Sequence, residues 1–526
     1  MAERIPGQRD VRAQHTTDQP PVSPEPVDTP WQPPAELPSH VSALRPPPGT
    51  PAPEPVDRRR QVAVHSAWAV PALVMLGLGL YGLTAASLWG DELLTWGITE
   101  IGWPDFQSLV TRFVTPLMPY YFIMRGWTAI AGTSDAALRL PSVLAAAAAV
   151  GVVARLGTRL VTPLAGLLAG LLLAVTPAMS RYAQEARPYT MAMFAVALAV
   201  LALVRYTERP TVWRLVGYGA VVALIAVLHF IALAVVFAHG AWLAVTRRDL
   251  LLRWGIAAVV GCLPAVPLVW YGIDQRDAVK WIAKSPATLP QAFFSGLFGA
   301  LSVMAIVAGL ALLSLSPRVK PLLLVLWGAV PLATVYLAGL QLGSVWLPRY
   351  LMFVIPAWVL LAAMTIVRST IVGAVAVLAL VVVLSVPAHR DMRTEGGHGL
   401  AARQAATIIS DGYQPGDAIV YGAQGSGLLT TTRDLVDHYV PADRRPREPL
   451  LFRPPRTRGQ AGPIMCRDVA GCLKNPARIW IVRLGTPPNP IVGVGPGYDS
   501  VLRNYVVQQR WNPKGLTIAL LTSNRN

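Results

Sequence analysis

Charged residues are scarce in this chain, and their scarcity excludes an ordinary soluble fold. Asp, Glu, Lys and Arg make up 14% of its 526 residues, whereas a soluble globular chain carries about 25%. The deficit is concentrated between Val62 and Pro387, where the sequence is almost continuously apolar. Because one helical crossing of a bilayer needs about 20 apolar residues, the sequence predicts a membrane protein with several spans.

Cysteine is also rare, with three residues in the chain. Cys262 lies within an apolar run, where we expect an inert side chain. Cys466 and Cys472 lie in the polar C-terminal part, and no second pair or neighbouring histidine completes a zinc pattern. If that part lies outside the cell, the pair favours a local disulfide.

Acidic residues are outnumbered by basic ones, and the formal net charge is +17. Such a charge can indicate nucleic-acid binding, but here the basic residues cluster in short loops between apolar runs. These loops hold Arg58 to Arg60; Arg155 and Arg159; Arg205, Arg209 and Arg214; Arg247, Arg248 and Arg253; Arg318 and Lys320; and Arg368. The alternate loops carry most of the acidic residues. The positive-inside rule explains this alternation, so we expect a bilayer rather than nucleic acid as the partner, with the amino terminus in the cytoplasm.

Residues 1–60 lack an apolar core, so we do not expect a signal peptide there. The segment is rich in proline, which disfavours both helix and buried sheet. We therefore expect a disordered cytoplasmic tail.

The apolar region predicts an all-α membrane domain over residues 61–390, a polytopic bundle of about eleven transmembrane helices. The spans are expected near 62–88, 136–154, 160–180, 189–205, 213–229, 230–246, 254–272, 292–315, 319–341, 350–367 and 370–388. Short amphipathic segments are expected in the loop at 89–135. An odd number of spans places the carboxyl end outside the cell.

Residues 391–526 regain ordinary polarity and predict a small extracytoplasmic α/β domain. Three short apolar runs, at 417–421, 479–483 and 517–521, read as buried strands. Residues 400–409 read as a helix.

The segment Trp89-Gly90-Asp91-Glu92 carries two adjacent carboxylates just past the first span. Carboxylates at such a place are costly if they enter the hydrocarbon. They are also common at helix starts, so a solvated helix cap is an alternative to a functional role.

Other polar groups are expected on the same outer face. They are Arg181, Glu185, Arg187 and Tyr189 between the third and fourth spans, His229 at the end of the fifth, Lys280 after the seventh, and Arg349 and Tyr350 at the start of the tenth. An interface belt of Arg and Tyr would account for some of them. Together, however, they would supply a base for an acceptor hydroxyl and cations for a departing phosphate.

The order of these parts resembles the GT-C superfamily of integral membrane glycosyltransferases. It is most similar to the bacterial branch with protein O-mannosyltransferases and the lipid A aminoarabinose transferase, and the composition suggests an actinobacterial source. The matching motifs are Trp89-Gly90-Asp91-Glu92, Pro119-Tyr120-Tyr121, Leu138-Arg139-Leu140-Pro141-Ser142, Gln184 to Tyr189, and Arg349-Tyr350.

The resemblance implies transfer of a sugar from a polyprenyl-phosphate donor to a hydroxyl acceptor, with inversion, at the outer face. It implies that Asp91 is the base, with Glu92 as its partner and a potential substitute. Glu185 would position acceptor or a divalent cation, and Arg181, Arg187, Tyr189, Arg349 and Tyr350 would bind the donor. His229 and Lys280 are assigned to the donor only by their expected place on the outer face, not by the resemblance. The aminoarabinose enzymes carry a phosphate-binding Lys in the first outer loop, and this chain has none there. Either Arg112 or Arg125 substitutes for it, or phosphate binding rests on the later arginines.

Two other functions remain open at this stage. A transporter or flippase of lipid-linked sugars would show inverted repeats and charges near mid-bilayer, and the sequence shows neither. A non-catalytic envelope-assembly protein would tolerate loss of Asp91. The sequence favours mannose or an arabinose-like sugar, and leaves open a protein, lipoglycan or polysaccharide acceptor.

Overall fold

Helices dominate the described residues up to Asp391. In this computed structural model the described residues are 58–275, 282, 289–315, 321–342, 345–422, 429–495 and 497–524. The tail predicted over residues 1–60 therefore lies almost wholly outside the described residues. The helices are α1 (Arg58–Leu80), α2 (Gly90–Glu100), α3 (Trp103–Arg112), α4 (Met118–Ala131), α5 (Asp135–Leu160), α6 (Pro163–Val175), α7 (Pro177–Ala183), α8 (Tyr189–Glu208), α9 (Val212–Leu228), α10 (Ala234–Thr246), α11 (Leu251–Cys262), α12 (Ala265–Asp274), α13 (Pro290–Phe298), α14 (Leu301–Leu313), α15 (Leu322–Leu342), α16 (Pro348–Leu351), α17 (Ile355–Ile366) and α18 (Ile371–Asp391).

Local sequence signals start many of these helices. Ser134, Thr162, Thr211 and Thr370 each accept a hydrogen bond from a first-turn amide at the start of α5, α6, α9 and α18. Such caps satisfy amide groups that have no partner within the helix. Proline stands at the first helical position of α6, α7 and α13, where its missing N–H costs nothing.

Each predicted span coincides with a helix or a helix pair. Within the described residues, five helices are long and apolar enough to cross a membrane, and the number rises to eight if each of three bent pairs is one span. Three shorter apolar helices remain, and a total of about eleven would require all of them to cross as well. The membrane all-α class is therefore confirmed, and the number of spans stays a prediction.

A bend separates α6 from α7. The sequence predicts one span near 160–180, but the chain turns by 64° between Val175 and Pro177. Proline cannot donate the backbone hydrogen bond that would continue α6. The bend brings the segment after α7, residues 184–188, against the start of α8.

The C-terminal part is a small α/β domain, as predicted. Its elements are α19 (Ala402–Gly412), β1 (Ala418–Tyr421), α20 (Thr431–Tyr439), β2 (Leu451–Arg453), β3 (Ile464–Met465), α21 (Val469–Leu473), β4 (Arg478–Leu484), α22 (Tyr498–Leu502), β5 (Tyr505–Trp511) and β6 (Leu516–Ser523). The main sheet has the order β1-β4-β6-β5, and β1 and β4 are its parallel pair. The three predicted strands correspond to β1, β4 and β6, and Cys466 and Cys472 form a disulfide.

One hydrophobic core joins this domain to the first long loop. Leu93 and Ile98 of α2 and Tyr121 of α4 pack in the same buried cluster as Ile409 and Leu435. We call the end of the helical bundle where this cluster lies the domain end. The C-terminal domain is thus packed on the segment that carries Asp91, rather than tethered beyond it.

Candidate active site

A buried ion pair fixes the segment that enters α2. The carboxylate of Glu92 accepts hydrogen bonds from Arg139 Nε at 2.8 Å and Nη2 at 2.7 Å. Both side chains are fully buried. Arg139 also donates to the carbonyl oxygens of Leu83, Ala86 and Ser87, at 2.8, 2.8 and 3.2 Å.

Glu92 also accepts a hydrogen bond from the backbone N–H of Ala186 at 2.9 Å. Burial alone would raise the pKa of Glu92, but the Arg139 guanidinium outweighs burial and holds the pKa well below its usual range. A carboxylate that is ionised, enclosed and bonded on both oxygens is poorly placed to take a proton from a substrate. In this geometry Glu92 is a structural contact between α2, α5 and the segment before α8, and its role as a substitute for Asp91 stays a prediction.

The C-terminal domain holds the same segment from the other side. Ser87 Oγ donates to the carbonyl oxygen of Leu400 at 2.7 Å and accepts from the N–H of Ala402 at 2.8 Å. Tyr439 Oη accepts from the N–H of Leu88 at 2.9 Å and donates to Asp135 at 2.8 Å. The backbone leading to Asp91 is therefore fixed by residues far apart in the sequence.

The carboxylate of Asp91 lies between two guanidinium groups. Asp91 Oδ2 is 3.9 Å from Arg187 Nε and 3.9 Å from Arg349 Nη2. The Asp91 side chain is 19% exposed, so it is reachable from outside the protein. Both distances exceed hydrogen-bond length, so these two nitrogen atoms form ion pairs with Asp91 Oδ2 without hydrogen bonds to it.

Arg187 lies in the short segment between α7 and α8 and is held by side chains of α5 and α4. Its carbonyl oxygen accepts from Ser142 Oγ at 3.1 Å, and its Nη1 donates to Tyr121 Oη at 3.1 Å. Among the described residues, no acceptor lies within hydrogen-bond distance of its buried Nε. A buried donor without an acceptor is costly, so this N–H favours an anionic ligand.

Trp89 lies between two arginines. The guanidinium carbons of Arg181 and Arg349 are 5.8 and 5.6 Å from the centre of its ring, within the range of cation–π attraction. Arg181 also donates to Glu185 at 2.5 Å. Burial raises the pKa of Glu185, and Arg181 opposes this rise only in part.

Three rings lie beside the arginines. Tyr189, His229 and Tyr350 have their ring centres 5.6 to 6.1 Å apart. They come from the start of α8, the end of α9 and α16. The predicted donor-binding residues on these elements therefore meet in space.

The structure thus groups nearly all of the predicted site residues at the domain end. Glu92 faces away into the buried ion pair, and Lys280 lies outside the described residues. In the part of the chain that the structure describes, no group of three His, Cys, Asp or Glu side chains could hold a metal ion.

Two further residues of this region are not predicted from the sequence as site residues. Arg139 belongs to a motif that gives it no role by itself, although a buried arginine in an apolar helix predicts a carboxylate partner. His398 lies with its Nδ1 3.6 Å from Glu92 Oε2, and burial lowers its pKa to about 3. No local signal marks it, because its neighbours come from 300 residues earlier in the chain.

Part of the helical region matches a known protein family. Residues 114–271 match the family described as dolichyl-phosphate-mannose-protein mannosyltransferase. This segment begins in the loop before α4 and ends within α12. No match to a curated protein was found.

Comparison with solved structures concerns the whole chain. ArnT from Cupriavidus metallidurans bound to undecaprenyl phosphate aligns with a TM-score of 0.55 at 16% identity, over 86% of this chain and 98% of ArnT. Its apo form aligns with a TM-score of 0.56 at 15% identity, over 87% and 98%. An oligosaccharyltransferase from Archaeoglobus fulgidus aligns at 12% identity over 86% of this chain and 73% of that one, with a TM-score of 0.45, which is too low to establish a common fold. The predicted resemblance is confirmed at the level of the fold: this multi-pass membrane chain has the fold of the GT-C superfamily of integral membrane glycosyltransferases.

Proposed function

We propose that this protein transfers a sugar from a polyprenyl-phosphate donor to an acceptor hydroxyl at the outer face of the membrane. The observation that carries the proposal is the carboxylate of Asp91 between Arg187 and Arg349, 3.9 Å from each. A base and a phosphate-binding pair are the two components that this reaction needs.

The local charges favour an anionic ligand. Glu92 is neutralised by Arg139, and Glu185 is paired with Arg181. Among these described groups, Asp91 then faces two guanidinium groups. The excess positive charge suits a phosphate, which arginine binds with two parallel hydrogen bonds.

The proposed donor site also uses the three rings. Tyr189, His229 and Tyr350 lie beside Arg349, so a sugar joined to a phosphate at the arginines would reach them. ArnT has been solved with undecaprenyl phosphate, and the matching family description names a dolichyl-phosphate-linked mannose. Both ligands support a polyprenyl phosphate as the donor carrier. We infer mannose or an arabinose-like sugar, and an acceptor hydroxyl on a protein, lipoglycan or polysaccharide.

The chemistry follows from this arrangement. When the donor phosphate binds Arg187 and Arg349, these arginines turn from the carboxylate to the phosphate, and Asp91 is free to accept a proton. The acceptor hydroxyl gives its proton to Asp91 while its oxygen bonds to the anomeric carbon. The bond from that carbon to the phosphate oxygen breaks, and the electron pair leaves with the polyprenyl phosphate. Attack opposite to the leaving group inverts the anomeric configuration.

Asp91→Asn tests the base. We expect transfer from polyprenyl-phosphate mannose or arabinose to fall by about 10²–10⁴-fold, with unchanged folding, because the amide has nearly the same shape. The matched control is Glu100→Gln on the same helix, since the Glu100 side chain is exposed at the far end of α2. Transfer by Asp91→Asn at the wild-type rate would contradict the assignment of Asp91 as the base, whereas no transfer by the wild-type protein from these donors would favour a transporter or an assembly protein.

Arg187→Lys tests the phosphate site separately. Lysine keeps the charge but loses the planar pair of donors, so we expect weaker binding of polyprenyl phosphate and a higher KM for the donor. The acceptor KM should stay the same. A selective rise in the acceptor KM would reverse the proposed roles of the two sides of the site.

A further inference from the structure

A groove of about 410 Å³ lies away from the candidate active site, where α1, α6 and α18 approach the domain end. Leu78 and Tyr81 from the end of α1 and Val175 from the end of α6 line one side. Val382, Val386 and Arg390, on successive turns of α18, line the other. The proposed glycosyl transfer uses none of these residues.

The groove has an apolar end and a basic end. Val382 and Val386 lie farther from the domain end along α18, and His389, Arg390 and Arg393 lie at the domain end. From Val382 to Arg390 the helix rises by about 12 Å. This polarity and length match an amphipathic ligand whose headgroup is anionic and whose chain follows the helix.

Two of the basic side chains build the wall of the groove. Arg393 donates from Nε to the carbonyl oxygen of Tyr81 at 2.9 Å and from Nη2 to that of Leu78 at 2.7 Å. His389 Nε2 donates to the carbonyl oxygen of Val175 at 3.0 Å. The Arg390 side chain is exposed at the rim, which makes it the group best placed to bind a headgroup.

The surroundings of the groove identify the kind of ligand. Val382, Val383 and Val386 are exposed on α18, and only 17% of the most apolar stretch of this helix is buried by the protein. A helix of this composition faces lipid in a bilayer. On the orientation proposed above, its arginines lie at the outer face, where positive charge is not favoured by topology.

We propose that the groove binds one anionic phospholipid of the bilayer, with the phosphate at Arg390 and Arg393 and an acyl chain along Val382 and Val386. The source is the membrane itself, because the groove opens on the lipid-facing side of α18. The basic rim explains why an anionic headgroup is preferred to a zwitterionic one.

The bound lipid would support the candidate active site without touching it. The carbonyl oxygen of Tyr81 accepts from both Arg393 and Gln184 Nε2, the latter at 2.8 Å. Gln184 is the neighbour of Glu185. A lipid that keeps Arg393 in place therefore stabilises the end of α1, on which the loop at 184–188 rests.

Native mass spectrometry of the full chain, purified in detergent and titrated with phosphatidylglycerol or phosphatidylcholine, tests the proposal. We expect one phosphatidylglycerol to be retained in preference to phosphatidylcholine. Arg390→Ala should weaken it by at least about tenfold, since a hydrogen bond to a charged group is lost. Arg368→Ala is the charge control, because Arg368 is exposed beyond the opposite end of α17.

A second pair of variants tests the groove without changing charge. Val386→Trp fills the groove and should abolish selective retention, whereas Val383→Trp, on an exposed position outside the lining, should leave it unchanged. Equal retention of both lipids, or retention unaffected by Val386→Trp, would overturn the proposal. Displacement of phosphatidylglycerol by undecaprenyl phosphate at equal concentration in the wild-type protein would also overturn it, by showing that the groove takes the donor lipid.

Discussion

Replacing Arg139 is the change whose effect on the free energy of unfolding can be worked out most directly from the structure. Arg139→Met deletes both hydrogen bonds to Glu92 and leaves the carboxylate buried with no side-chain donor from α5. It also deletes the bonds to the carbonyl oxygens of Leu83, Ala86 and Ser87. Breaking a buried pair by removing one partner costs about 3–5 kcal/mol, so we expect Arg139→Met to lower the free energy of unfolding by at least that much.

An exposed pair elsewhere in the chain supplies the matched control. Arg159 and Glu208 form a similar two-bond pair, but their side chains are 33% and 40% exposed. Exposed pairs contribute about 0–1 kcal/mol. Arg159→Met should therefore cost about 1 kcal/mol or less, although it deletes the same kind of contact.

Unfolding in mixed micelles with increasing dodecyl sulfate, followed by tryptophan fluorescence, measures both variants. The double variant Arg139→Met with Glu92→Met should cost much less than the sum of the two single changes, because the second change removes the uncompensated charge. Equal costs for Arg139→Met and Arg159→Met would refute the reasoning. A well-folded Glu92→Gln that loses transfer, beside an active Asp91→Asn, would move the base to Glu92.

Two further predictions concern the packing around α2. Burial lowers the pKa of His398 from 6.5 to about 3. Between pH 3 and pH 6.5 the unfolded chain therefore binds more protons than the folded chain. The free energy of unfolding is at its full value at neutral pH and is lower by about 2 kcal/mol at pH 5. His398→Gln should remove that loss from the pH dependence of unfolding. A Cβ on Gly97 would lie 2.0 Å from Arg456 Nη1, and Arg456 is held by Asp434. Gly97→Ala should therefore loosen the C-terminal domain in limited proteolysis, whereas Gly102→Ala, with nothing within 4 Å, should not.

The helices could be predicted because hydropathy and length are local properties. Each apolar stretch of sufficient length became a helix or a helix pair, and Pro177 shows why one expected span is bent. The strand β5 is not predicted by the apolar pattern of the sequence, and the reason is again local. Its residues Gln509 and Arg510 are polar, as suits a strand at the edge of a sheet that faces solvent.

The candidate site could be predicted only in part because its contacts are not local. Counting the spans predicts that Asp91, Arg187 and Arg349 lie at the same end of the bundle. Their grouping could therefore be expected. The residues that contact Glu92 could not be predicted from the span count. Arg139 and His398 are 47 and 306 residues away in the sequence, and only the packing of α5 and the C-terminal domain brings them to one carboxylate.

The two adjacent carboxylates also show what helix geometry adds to a sequence motif. Successive residues of an α-helix point about 100° apart, so Asp91 and Glu92 at the start of α2 cannot both face one ligand. Glu92 faces α5 and is bound there by Arg139, and this contact fixes the rotation of α2 about its axis. The same rotation directs Asp91 toward Arg187 and Arg349. If Glu92 acts in this way, its loss should change the separation of Asp91 from the two arginines, and should lower the maximal rate of transfer even in variants that remain folded.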